Sequence, residues 1–122
     1  MPRVVHFELS ADDPARAIMF YEKVFGWTIN KWEGPIEYWL VMTGEKDQPG
    51  IDGGIMRRQE SSENTVNTID VPDVDEYIKK IEKAGGKITR PKMSVPGVGY
   101  AAYVQDTEGN TFGIMQNDPN AE

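Results

Sequence analysis

The chain contains no cysteine. That excludes disulfides, thiolate-bound zinc and any thiol nucleophile. It has one histidine, His6, so no serine–histidine–aspartate arrangement can be argued. Positive charge is scarce: 13 Lys and Arg stand against 20 Asp and Glu, for a net charge of −7. Such a balance argues against non-specific nucleic-acid binding and against an anionic membrane surface. No apolar run approaches the ~20 residues of a membrane span. Residues 1–10 alternate apolar and polar and lack the apolar core of a signal peptide. A glycine-rich phosphate motif is also missing. The expectation is a cytoplasmic protein that binds neither nucleic acid nor membrane.

What is present is a repeat. Gly54-Ile55-Met56 recurs as Gly113-Ile114-Met115, about 60 residues later. Tyr21-Glu22-Lys23-Val24-Phe25-Gly26 is echoed by Ile81-Glu82-Lys83-Ala84-Gly85-Gly86 at a similar offset. A repeat of this length, occurring twice, suits two pseudo-symmetric halves rather than a solenoid. The 122 residues, 39% hydrophobic and 27% charged, suit one folded domain spanning 1–122. Module one is expected over 1–60 and module two over 64–118, with residues 59–64 as a polar link. Paired modules create a cleft, and its lining decides the function.

Val4–Ala11 reads as a strand, with Val5, Phe7, Leu9 and Ala11 on one face and His6, Glu8 and Ser10 on the other. Asp12-Asp13-Pro14 starts a helix, with a carboxylate cap and a proline in the first turn. Ala17, Ile18, Tyr21, Val24 and Phe25 form its apolar stripe, and Gly26 ends it. Strands are predicted over 28–33, 38–43 and 53–58, with Gly34-Pro35 turning the first pair and 44–50 a long polar loop. Module two repeats the order: a strand over 66–71, a helix capped by Asp73, and strands over 87–90, 100–105 and 111–116. On that helix, Asp75 with Lys79 and Glu76 with Lys80 are spaced for ion pairs. Residues 91–99 read as a proline- and glycine-rich loop that could act as a lid, and the tail after Gln116 as loose.

His6, Asp12-Asp13-Pro14, Phe20-Tyr21, Phe25-Gly26-Trp27, Gly53-Gly54-Ile55-Met56, Ala84-Gly85-Gly86, the turn from Asp106 to Asn110, and Phe112-Gly113 occur in this order. Together they resemble the vicinal oxygen chelate superfamily of glyoxalase I, bleomycin-resistance proteins and extradiol dioxygenases. The chain is most similar to the small glyoxalase-related proteins of unassigned reaction. The resemblance implies an α+β fold of two βαβββ modules forming a shared cleft, and a homodimer as the partner state. It also implies a divalent metal held from the first and last strands of each module. His6 matches the first-strand position of module one. The last-strand positions fall on Gly54 and Gly113, where carboxylates would be expected. The first strand of module two offers Val66, or Asn67 if the register slips by one. Catalytic zinc-type sites need about three protein ligands, so no metal and no cofactor are expected.

His6 and Glu8, about 6.6 Å apart along one strand face, are the candidate catalytic pair; the alternative is a satisfied structural histidine and a paired charge. Asp52 could join them in a makeshift metal site. Met56 and Met115 should line the cleft symmetrically as soft, adaptable surface. Tyr38, Trp39 and Tyr103 are taken as aromatic ligand contacts beside them, with Trp32 and Tyr100 nearby. Arg57 and Arg58 read as solvated edge charges.

The expected function is a glyoxalase-related small-molecule-binding protein with a degenerate metal site, sequestering or sensing a small apolar or aromatic ligand. One alternative is a divalent-metal-dependent lyase, isomerase or dioxygenase-like enzyme. The other is a structural or regulatory dimer.

Overall fold

A computed structural model describes residues 2–60 and 64–122; of the expected polar link, residues 61–63 lie outside the described residues. The chain folds as two βαβββ modules. Module one comprises β1 (Val4–Ala11), α1 (Pro14–Phe25), β2 (Thr28–Lys31), β3 (Trp39–Met42) and β4 (Asp52–Arg57). Module two comprises β5 (Val66–Asp70), α2 (Val74–Lys83), β6 (Lys87–Val95), β7 (Gly99–Gln105) and β8 (Thr111–Asn117). The compact units are His6–Thr65 and Val66–Glu122, the latter taking in the chain's first residues through Val5.

Within module one the strands lie in the order β2-β3-β4-β1, and within module two β6-β7-β8-β5. In each, the last strand pairs parallel with the first: β4 with β1 and β8 with β5. The other pairings are antiparallel. A parallel pair needs a long crossover. Here the helix and the two intervening strands supply it. The consequence is functional, because the two ends of each module's sequence become neighbours.

Both helices start alike. Asp13 is extended, and its Oδ1 accepts the Arg16 N–H at 3.2 Å; Pro14 occupies the first turn, where its missing N–H is not needed. Asp73 does the same for Glu76 at 3.0 Å. In α2 a second partner comes from β8, where Gln116 Oε1 accepts the Val74 N–H at 3.0 Å. Gly26 ends α1 at φ 71°, the left-handed conformation that glycine adopts without a Cβ penalty.

Each helix packs on one face of its own strands. In module one, Ala11, Val41 and Ile55 are buried beneath Ala17, Ile18 and Tyr21 of α1. In module two, Val71, Val74, Ala102 and Ile114 are buried with Tyr77, Ile78 and Ile81 of α2 packed against them. Fully burying a side chain such as Ile55 contributes about 1.5–3 kcal/mol. The predicted stripe of α1 is wider than the buried one, since Val24 and Phe25 are 54% and 58% exposed. Phe25 instead stacks on Tyr21 and Trp27.

Several expectations need correction. The predicted loop over 91–99 is mostly strand, because β6 runs through Pro91 to Val95. It accommodates the proline at register shifts on either side of Arg90, at the end of its module's strand order. The tail is not loose: Ala121 is buried, its carbonyl accepts the Gly97 N–H at 2.9 Å, and the Asp118 N–H donates to Val98 O at 2.9 Å. Asp75 pairs across to Lys92 at 2.9 Å rather than along the helix to Lys79, while Glu76 and Lys80 pair as expected at 3.3 Å.

Candidate functional site

The parallel pairing of β1 with β4 sets His6 opposite Asp52, Glu8 opposite Gly54 and Ser10 opposite Met56. Phe7 and Leu9 alternate into the core under α1, so His6 and Glu8 occupy the other face. Tyr38, immediately before β3, reaches onto that face. Its Oη lies 2.8 Å from His6 Nε2 and donates to Glu8 Oε2 at 3.0 Å. The phenol and the imidazole are stacked, with centroids 6.4 Å apart and planes 15° apart. Beneath the phenol lies Gly54. A Cβ built there would overlap the Oη, Cζ and Cε2 atoms of Tyr38. The glycine is therefore what lets the ring approach the strand.

Proton counting orients this chain of hydrogen bonds. A phenol has one proton, and it goes to the Glu8 carboxylate. The His6–Tyr38 contact is then donated by Nε2–H, leaving Nδ1 as the acceptor nitrogen. Burial pushes the His6 imidazole below its ordinary value of 6.5 and outweighs the nearby Glu8 and Asp52 carboxylates, which act in the opposite sense. At pH 7 the ring is neutral.

The structure sorts the predicted site residues. His6, Glu8 and Tyr38 come together. Met56 lies on their face, opposite Ser10. Trp39 does not join them: it follows Tyr38, points to the opposite side of β3, and packs on the Ala11–Val41–Ile55 core. Adjacent strand residues cannot share a face. Asp52 faces His6 across the pair but spends Oδ1 on Thr43, accepting its N–H at 2.9 Å and its hydroxyl at 3.3 Å. Arg57 and Arg58 are paired rather than merely solvated. The first donates to Glu37 at 3.0 Å, and the second to Asp12 at 3.3 Å and to Ser10 O at 2.9 Å.

In module two, Tyr103 and Thr68 both pair with Gly113, and Met115 lies on the same face between Asp70 and Ala101. Val66 is two residues before Thr68, so strand parity assigns Val66, not Asn67, to the position that His6 holds in module one. The Arg90 guanidinium lies 5.5 Å from the centre of the Tyr103 ring. The two glycines differ. A Cβ at Gly113 would meet Thr68 Oγ1 at 3.1 Å and Tyr103 no closer than 3.7 Å.

Sequence reasoning missed Leu40 and Met42. Leu40 pairs with Gly54 and Met42 with Thr28, on the face opposite the buried Val41. They are 43% and 50% exposed and form an apolar shoulder beside Tyr38. The two-residue period from Tyr38 was the signal that would have found them.

A sequence model of the Glyoxalase/Bleomycin resistance protein/Dioxygenase superfamily matches residues 3–114. The chain belongs to this superfamily. Among curated proteins it is similar to those named "Putative glyoxylase CFP32" in Mycobacterium bovis and Mycobacterium tuberculosis, at 27% identity over 114 residues. The match covers 92% of this chain but 43% of each relative's length. Solved structures with the same fold include methylmalonyl-CoA epimerase from M. tuberculosis, with a TM-score of 0.70 at 12% identity, covering 94% of this chain and 87% of that one. Another is a hypothetical protein from Bacillus halodurans C-125, with a TM-score of 0.73 at 11% identity, covering 99% and 98%.

The divalent metal that this superfamily implies does not fit the residues present. Gly54 and Gly113 carry no donor, and Val66 is apolar. In module one the space above Gly54 is taken by the phenol. Among the described residues, no three His, Asp or Glu side chains gather as a metal ion would require. Nor is any helix among them long and apolar enough to cross a membrane.

Proposed function

We propose that this chain is a small-molecule-binding member of the glyoxalase superfamily, holding an apolar or aromatic compound on the His6 face of module one. One observation carries this reading: the hydrogen-bonded His6–Tyr38–Glu8 chain stands beside the exposed side chains of Leu40 and Met42. An apolar wall with a few convergent polar groups is the usual make-up of a ligand site. The polar centre consists of a neutral imidazole, a phenol and a carboxylate. It favours a neutral or cationic ligand that offers a hydrogen-bond donor, and disfavours one bearing a carboxylate.

A second reading is acid–base chemistry of the lyase or isomerase kind without a metal. It is favoured by the neutral state of His6, since an imidazole unprotonated at pH 7 can accept a proton.

A thermal-shift screen tests the first reading, using indole, phenol, benzylamine and benzoate as simple probes and then a wider aromatic set. Binding at a hundred times the dissociation constant should add about 2.7 kcal/mol. The expected result is a midpoint raised by compounds bearing a donor group, and abolished by Met42→Glu. No response across the set would overturn ligand binding and leave the structural or regulatory dimer as the better account.

A further inference from the structure

We propose that Tyr38 is a built-in occupant of module one's ion position: its phenol oxygen stands where His6, Glu8 and a side chain at residue 54 would converge, and closes that point to divalent cations. Oη is 2.8 Å from His6 Nε2 and 3.0 Å from Glu8 Oε2. An ion in its place would need those donors at about 2.0–2.2 Å, closer than either stands to the phenol oxygen. The same phenol overlaps any Cβ at residue 54, so one group both engages the two donors of β1 and excludes a third from β4.

The phenol also holds its neighbours in states unsuited to an ion. Nε2 points its proton, not its lone pair, at Oη; a metal would require that nitrogen to be deprotonated. Entry of a cation therefore means breaking two hydrogen bonds, switching the tautomer and swinging the ring away from Gly54. With the ring gone, His6 and Glu8 still supply two ligands, one short of a catalytic-type set. The glycine and the tyrosine act as a pair: the first removes a ligand, and the second fills the space.

The test restores the donor and removes the plug. Zinc is titrated calorimetrically into the wild-type protein, Gly54→Glu, and the double variant Tyr38→Ala/Gly54→Glu. The readout includes the ring resonances of the single histidine. The double variant should bind one zinc per chain and shift the His6 signals. The wild type should do neither, and Gly54→Glu alone, which must first displace the phenol to seat its own side chain, should bind zinc more weakly than the double variant. One equivalent of zinc bound by the wild type and lost in His6→Ala would overturn the proposal. So would a folded double variant that binds no more tightly than the wild type. If the double variant does not fold, Tyr38→Ala alone decides. Its His6 signals should respond to millimolar zinc while those of the wild type do not, and an equal response in both contradicts the plug. Ligand screening uses the wild type without metal, so the two proposals fail separately.

Discussion

Replacing Gly54 with alanine places a methyl group where the Tyr38 phenol already lies. The ring must leave, taking its bonds to His6 and Glu8 with it. Overpacking of this kind costs about 1–3 kcal/mol. Alanine at Gly113, with Thr68 Oγ1 at 3.1 Å and the Tyr103 ring at 3.7 Å, needs only a small adjustment. Urea unfolding should therefore separate the twin positions, with Gly54→Ala clearly destabilised and Gly113→Ala nearly neutral. On a Tyr38→Ala background the cost at Gly54 should largely vanish, which is the coupling that a double-mutant cycle measures. Equal costs at both glycines would mean that the phenol is not packed as described. The glycines themselves were legible in the sequence. What covers Gly54 was not, since Tyr38 meets His6 and Glu8 across about thirty residues of chain, and alternation says nothing about contacts between strands. Parity did allow a choice between Tyr38 and Trp39, and only Tyr38 is on the face of His6.

At the scale of elements, local chemistry was the better guide. Strand β1 spans Val4–Ala11 as expected, with Phe7, Leu9 and Ala11 on the core face but Val5 exposed, and both helices begin after the expected aspartates. Where tertiary contacts dominate, local signals misled. Pro91 reads as a breaker, yet β6 absorbs it through an irregular register with β7. The tail after Gln116 has no pattern of its own, but is held by the turn at Gly97 and Val98. Helix α2 combines both kinds of information. Asp73 caps it locally, and Gln116 of β8 accepts the Val74 N–H from a distance. Asp73→Ala should cost about 1 kcal/mol, the usual value of such a cap. Gln116→Ala should cost a similar amount, about 0.5–1.5 kcal/mol for one hydrogen bond. Chemical denaturation of the two variants checks both. A neutral Gln116→Ala would show that water serves the helix start equally well.

At the scale of the molecule, the repeated βαβββ order was visible as a repeated sequence, and membership of the superfamily follows from a match over residues 3–114. The fold does not decide the chemistry. Its parallel pairing of first and last strands brings the residues of β1 and β4 together, and those residues differ between the modules. Module one opposes a histidine and a glutamate to an aspartate and a glycine, and then closes the gap with a tyrosine. Module two offers valine, threonine and glycine at the corresponding places. The hydroxyl of Tyr38 joins a neutral His6 to Glu8. The single imidazole makes this directly measurable by nitrogen-15 NMR as a function of pH. At pH 7 the ring should hold one tautomer, with the proton on Nε2, and it should take up a second proton only below the ordinary value of 6.5, because burial disfavours the charged ring. Tyr38→Phe should disturb that tautomer. A ring that is protonated at pH 7, or that carries its proton on Nδ1 and ignores Tyr38→Phe, would show that Tyr38 does not link a neutral His6 to Glu8.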